Sequence, residues 1–210
     1  WSLAFVAVVL IVTRNLAWLR TVSAQTWRRF ALSALLIAIN WLTYVWAVGH
    51  GHVLDASLGY FINPLVNVAL GFAVLHERPR PVQWFAVGLA AFGVLWLTVT
   101  AGRLPWVALV LAISFGFYGL MRKTAALGAI EGLTLETLIL APLAAAGLVW
   151  WSHDGSMAGQ TAVDWAWLIG TGPVTAGSLL LFAAGARRIP LATLGLVQYV
   201  SPSLQFLLGV

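Results

Sequence analysis

Cysteine is absent from this 210-residue chain, and charged side chains make up only 8% of it. The first absence excludes a disulfide framework and any cysteine-based metal site. The second excludes a soluble globular domain, in which about 25% of residues are charged. Acidic residues number six against eleven lysines and arginines. They are too scattered to form the cluster of carboxylates or histidines that a lipid-modifying membrane enzyme would need. There is no GxxxxGK[ST] phosphate loop, so ATP-driven transport has no support, and no GxSxG elbow or HExxH helix. No cofactor is expected.

Apolar residues fill the space these absences leave. They make up 61% of the chain, and mean hydropathy is +0.95. A chain of this composition cannot cover itself with polar surface, so its class is polytopic membrane protein. Twelve tryptophans suit a protein with two lipid–water interfaces, where indoles prefer to sit. The chain begins without Met and stops within an apolar run, so it is expected to be a piece of a longer protein.

Eight apolar segments are expected as transmembrane helices, at about 1–13, 30–49, 56–75, 82–100, 104–121, 132–151, 164–186 and 190–210. Arg14, Arg20, Arg28 and Arg29 follow the first, Arg78 and Arg80 the third, Arg122 and Lys123 the fifth, and Arg187 and Arg188 the seventh. Only Arg103 falls in an alternate loop. This is the positive-inside pattern, and it places the basic loops in the cytoplasm. The net charge of +5 therefore reports topology, not a nucleic-acid partner.

The stretch from Asp55 to Arg78, DASLGYFINPLVNVALGFAVLHER, organises the rest. A helix starting near Ala56 would place Pro64 roughly 12 Å along its axis, near the middle of a hydrocarbon core about 30 Å thick. Proline removes a backbone hydrogen bond and crowds the preceding turn, so the helix is expected to break there. Tyr60, Asn63, Asn67 and Gly71 recur at helical spacing and share one face. A polar stripe beside a broken backbone at mid-membrane depth is what a transport site requires.

The chain also repeats itself. Leu42–Gly59 overlays Ser178–Gly195, and after a two-residue gap Pro64 falls on Pro202, Asn67 on Gln205 and Gly71 on Gly209. The loop at His50–Asp55 is external by the charge rule, whereas its counterpart at Arg187–Arg188 is cytoplasmic. The copies are thus inverted, which requires an odd number of helices in each. The first repeat covers 1–100 and lacks its first helix; the second covers 104–210 and lacks its last. The expected fold is all-α, eight transmembrane helices of a ten-helix protein built from two inverted five-helix repeats. Secondary transporters use such repeats, with the site near the midplane where they meet.

Asn40–Trp84 (NWLTYVWAVGHGHVLDASLGYFINPLVNVALGFAVLHERPRPVQW), Leu104–Lys123, Gly132–Thr137 and Thr193–Leu208 (TLGLVQYVSPSLQFLL) resemble the RarD proteins of the EamA group, in the drug/metabolite transporter superfamily. The resemblance covers essentially the whole chain. It implies the ten-helix inverted-repeat fold, placement in the bacterial inner membrane, and a central cavity to which the helix at about 82–100 is peripheral. It also implies the description given to that family, chloramphenicol-sensitivity permeases.

Candidate residues follow from both lines. Asn63 and Asn67 are the first choice for substrate contact, because amides donate and accept; the alternative is that they bond helix to helix. Gln198, Tyr199 and Gln205 are their counterparts in the second copy. Asn40 with Tyr44, Ser114 with Tyr118, and Tyr60 would line an aromatic cavity suited to amphipathic organic compounds. Glu136 is the carboxylate inside an apolar span and the candidate for proton coupling, or else a partner of Arg122 or Lys123. Pro64 and Pro202 are the expected helix breaks. Glu77 and Arg78 are expected to pair with nearby charges, in a structural or gating role. His50, His52 and Asp55 read as a solvated loop, not a metal site. The function expected is a secondary transporter moving a small organic metabolite or drug-like solute across the inner membrane by alternating access. Its partners are that solute, membrane lipid, and a proton or another coupling ion, with homodimerisation left open. The alternatives are an integral-membrane lipid-modifying enzyme and a non-transporting scaffold.

Overall fold

The computed structural model describes residues 1–13, 17–102, 104–153, 161–201 and 203–204. Among these the secondary structure is entirely helical: α1 (Ser2–Thr13), a short 3-10 helix (Ala17–Arg20), α2 (Ala24–Gly49), α3 (Val53–Ala73), α4 (Pro81–Ala101), α5 (Trp106–Lys123), α6 (Ala129–His153), α7 (Ala162–Arg188) and α8 (Leu191–Gln198). Six of them, α2 to α7, are long and apolar enough to cross a bilayer. Within the described residues α1 has 12 residues and α8 has 8, or about 18 and 12 Å of rise. The architecture is that of a multi-pass helical membrane protein. The six spans coincide with six of the eight expected segments.

Two expectations are corrected. First, α2 starts at Ala24 and not near residue 30. Ser23 Oγ accepts the Thr26 N–H at 3.2 Å, a cap that satisfies an end amide and starts the helix early. Arg28 and Arg29 therefore ride on its first turns, where long basic side chains reach the interface. Second, α3 does not break at Pro64; it is helical from Val53 to Ala73 with the proline inside it. Transmembrane helices tolerate proline where neighbours satisfy the disturbed backbone. Pro64 deprives the Tyr60 carbonyl of its helical donor, and the Tyr199 hydroxyl donates to the next carbonyl, that of Phe61, at 3.1 Å. Pro142 and Pro173 likewise sit inside α6 and α7. Pro202 and Gln205 lie outside the described residues.

The chain forms two compact units. The first comprises residues 1–34 and 125–184. Its core is Val6 and Leu10 of α1, Leu133 of α6 and Ala176 of α7, with Phe5, Ile130, Leu179 and Leu180 around them. The second comprises residues 35–124 and 185–210. There α3 is central, packing on α5, α8 and α4. Ala47, Ala56, Val107 and Leu111 make one apolar cluster, and Ile62, Ala108 and Ala112 another. No residue of α4 within its membrane-length window is buried, and Phe85, Leu89, Phe92 and Trp96 are each more than 60% exposed. An apolar helix so exposed would be unstable in water and is at home against lipid.

Candidate functional site

The polar stripe of α3 faces α8. Asn63 and Asn67 are four residues apart and so stack on one helical face. They sit about 15 Å or more along a helix whose 21 residues rise about 31 Å, which is mid-helix. Glycine brings α8 against them. A Cβ at Gly195 would lie 2.8 Å from the Pro64 carbonyl oxygen and 2.9 Å from the Asn67 Cβ, so no other residue fits there without a shift. One turn on, Gln198 Oε1 accepts Nδ2 of Asn63 at 2.9 Å and Nδ2 of Asn67 at 2.7 Å. The three amides, drawn from α3 and α8, meet at a single oxygen.

What remains of these amides matters more. Asn67 is fully buried and Asn63 is 7% exposed, yet among the described residues the Oδ1 atom of each has no hydrogen-bond partner. Turning all three amides over would let Gln198 Nε2 donate to both asparagines and would leave two Nδ2 groups over instead. The surplus therefore belongs to the constellation whichever way the amides point. A buried polar atom without a partner costs about 1–3 kcal/mol. The surplus lies at mid-helix, closed off by α8.

The other candidates separate into smaller groups. Asn40 Nδ2 donates to the Leu111 carbonyl at 2.9 Å and to Ser114 Oγ at 3.1 Å, and Ser114 Oγ donates onward to the Val110 carbonyl at 2.6 Å. These residues bind α2 to α5. Tyr44 and Tyr60 meet edge to face with ring centres 6.2 Å apart, and Trp41 joins Tyr44 at 6.4 Å. Tyr199 packs beside Phe61 at 6.4 Å. Tyr118 is fully buried, with its ring 5.7 Å from Phe115.

Glu136 belongs to the first unit and is 1% exposed. Ser33 Oγ of α2 donates to its Oε1 at 2.5 Å. The sequence offered no sign of Ser33, an ordinary serine in an apolar run and 103 residues away. Lys123, one of the two cations considered for Glu136, instead lies 3.6 Å from Glu77. The expected pairing of Glu77 with a neighbouring charge is thus found. The histidines between α2 and α3 are taken up locally: both rings stack on Trp46, at 4.7 and 5.3 Å, and His52 Nδ1 lies 3.0 Å from Asp55 Oδ2. Among the described residues no three His, Cys, Asp or Glu side chains gather in a group able to hold a metal.

Comparison with known proteins places this geometry among relatives. Residues 1–99 match the EamA-like transporter family. The whole chain is 47% identical to protein RarD of Escherichia coli (strain K12), of which it covers 72%. It is also 47% identical over its full length to an uncharacterized transporter of Vibrio cholerae, covering 71% of that protein. Against a chloramphenicol-sensitive protein RarD of Pseudomonas aeruginosa the identity is 33%, over the whole chain and 72% of that protein. No solved structure matches.

Proposed function

From the premise that the chain belongs to the RarD group of the EamA-like transporter family, we propose that it is part of a secondary transporter with its solute site at Asn63, Asn67 and Gln198. The solute is a small organic metabolite or drug-like compound, carried across the bacterial inner membrane by alternating access. The alternation of basic and non-basic loops supports a cytoplasmic placement of the basic ones. The internal match of 42–71 onto 178–209 supports two inverted five-helix repeats, 1–100 and 104–210, in a ten-helix protein. Energy comes from a gradient of protons or another ion. Glu136, buried and bonded to Ser33, is the residue assigned to coupling, because a carboxylate in that setting must be neutralised or paired.

One observation carries the assignment: two buried amide atoms at mid-helix depth have no partner among the described residues. Amides that serve only to join helices use their polar atoms on one another, as Asn40 and Ser114 do. Three amides with two polar atoms left over suit a solute of mixed polarity, and Tyr60 and Tyr199 supply aromatic surface on the same two segments. The test is a thermal-shift screen of the purified full-length protein against uncharged metabolites and drugs. Chloramphenicol is included because a relative's name carries it. A solute at one hundred times its Kd adds about 2.7 kcal/mol of stability. The shift given by any hit is expected to vanish in Asn63→Ala and Gln198→Ala. Equal shifts in wild type and both variants would remove the site from this location.

A further inference from the structure

The connection from α7 to α8 runs through Ile189 and Pro190, so the first amides of α8 have no acceptor within their own helix. The carboxylate of Glu77 supplies it. Leu191 N–H donates to Oε1 at 2.7 Å and Ala192 N–H to Oε2 at 2.9 Å. Glu77 is not on α8; it lies in the turn after α3. Lys123, the last residue of α5, sits with its Nζ 3.6 Å from Glu77 Oε1. The same Nζ donates to the carbonyls of Ile189 at 2.6 Å and Ala186 at 3.2 Å. One ion pair, its side chains 14% and 19% exposed, joins the end of α3, the end of α5 and both sides of the α7–α8 connection.

The surroundings are shaped for this carboxylate. His76 takes a left-handed backbone conformation, φ +53°, which β-carbon-bearing residues seldom adopt, and it turns the chain so that Glu77 follows. A Cβ on Gly71 would stand 2.6 Å from Glu77 Oε2 and 3.1 Å from the Ala192 nitrogen, so only glycine leaves the space. A serine or aspartate next to the first turn of α8 would cap the helix without any of these devices. Borrowing the cap from another helix does something a local cap does not: it fixes where α8 lies on α3.

That placement sets the amide site. Gln198 is about 10 Å along α8 from Leu191, and its position opposite Asn63 and Asn67 depends on where α8 starts. α8 is thus clamped by charge at one end and set against unsatisfied amides at the other. Such a contact favours a second arrangement once the clamp lets go. We propose that Glu77 and Lys123 form a latch: positioning residues that hold α8 shut against the amides of α3 and must separate before a solute can reach them. The inference rests on the amide site proposed above.

The test reads the movement of α8 directly. In the full-length protein reconstituted in liposomes, every cysteine outside these residues is replaced by serine. A single reporter is then introduced as Leu194→Cys on α8, or as Val107→Cys in the α2–α3–α5 cluster. Both positions are buried, at 7% and 0% exposure. N-ethylmaleimide labelling then follows the population of the open form. Glu77→Gln removes the charge while keeping the shape. Gly71→Ala keeps both charges and puts a methyl group where the carboxylate lies. Each is expected to speed labelling at position 194 by about tenfold and leave position 107 unchanged, while Lys123→Arg retains the wild-type rate. No change at 194 in either variant would overturn the latch. Equal acceleration at 194 and 107 would overturn it too, by showing a clamp that merely stabilises the fold. No solute is added, so the result is independent of the solute assignment, which the amide variants decide.

Discussion

Two amide clusters lie on the same unit, about the same distance from their helix ends, and they use their hydrogen bonds differently. Asn40 gives both hydrogens of its amide to α5, one to the Leu111 carbonyl and one to Ser114 Oγ. Asn63 and Asn67 each give one hydrogen to Gln198 and keep a buried oxygen with no partner among the described residues. The first cluster is finished when the helices meet. The second leaves two acceptors over among the described residues. Residue type does not distinguish them, since both are asparagines on apolar helices; the number of acceptors brought within reach by the facing helix does. A helix that approaches as closely as α8 does at Gly195 leaves room for one glutamine and for nothing to satisfy the remainder.

The largest effect expected from this contrast is on stability at Gln198. Gln198→Leu removes the shared acceptor and strands both asparagine Nδ2 groups in addition to their oxygens. At about 1–3 kcal/mol for each stranded group, the variant should lose roughly 2 kcal/mol or more. Replacing Asn63, Asn67 and Gln198 together by leucine removes every polar atom concerned. That triple variant should be at least as stable as wild type, because apolar groups of similar shape take the place of an unsatisfied cluster, and any solute-induced shift should be gone. Chemical or thermal unfolding in detergent measures both. A triple variant as unstable as Gln198→Leu alone would mean that the surplus is not real.

The next effect sharpens the comparison with a charged group. Glu136 is almost fully buried and takes a hydrogen bond from Ser33, so here a polar atom deep in the chain is supplied and not left over. Ser33→Ala should lower stability by about 1.5–3 kcal/mol, the range for hydrogen bonds to charged groups. Ser33→Thr, which keeps the hydroxyl, should recover most of it. If alanine and threonine behave alike, the hydroxyl is not supporting the carboxylate.

Local periodicity made part of this visible from the sequence. Asn63 and Asn67 could be placed on one face because four residues make about one turn, and the six long spans could be marked because apolar runs of that length have few other uses. What could not be read was set by distance along the chain. Gln198 lies 131 residues from Asn67, and nothing in either stretch says that one oxygen would serve both asparagines. Glu77 was recognisable as a charge seeking a partner, but its role as the cap of α8, 114 residues on, depends on Pro190 having left those amides bare. Pro64 misled for a related reason. The rule that proline breaks a helix is too strict for long apolar helices, and α3, α6 and α7 each carry one inside.

The smallest effect is expected at the Asn40 cluster, and it tests the contrast most cleanly. Asn40→Leu takes away two hydrogen bonds, but it strands little. Ser114 Oγ keeps its single hydrogen on the Val110 carbonyl at 2.6 Å, with Leu111 at 3.2 Å as the alternative acceptor. Hydrogen bonds between membrane helices average only about 0.6 kcal/mol in mutant cycles, so Asn40→Leu should lower stability by roughly 0.5–1 kcal/mol. Ser114→Ala should lower it by no more. Neither should alter the thermal shift given by a solute that responds to Asn63→Ala. A solute shift lost in Asn40→Leu while the protein stays folded would place Asn40 in contact with the solute, and the difference between the two clusters would then not be the one between holding helices together and binding.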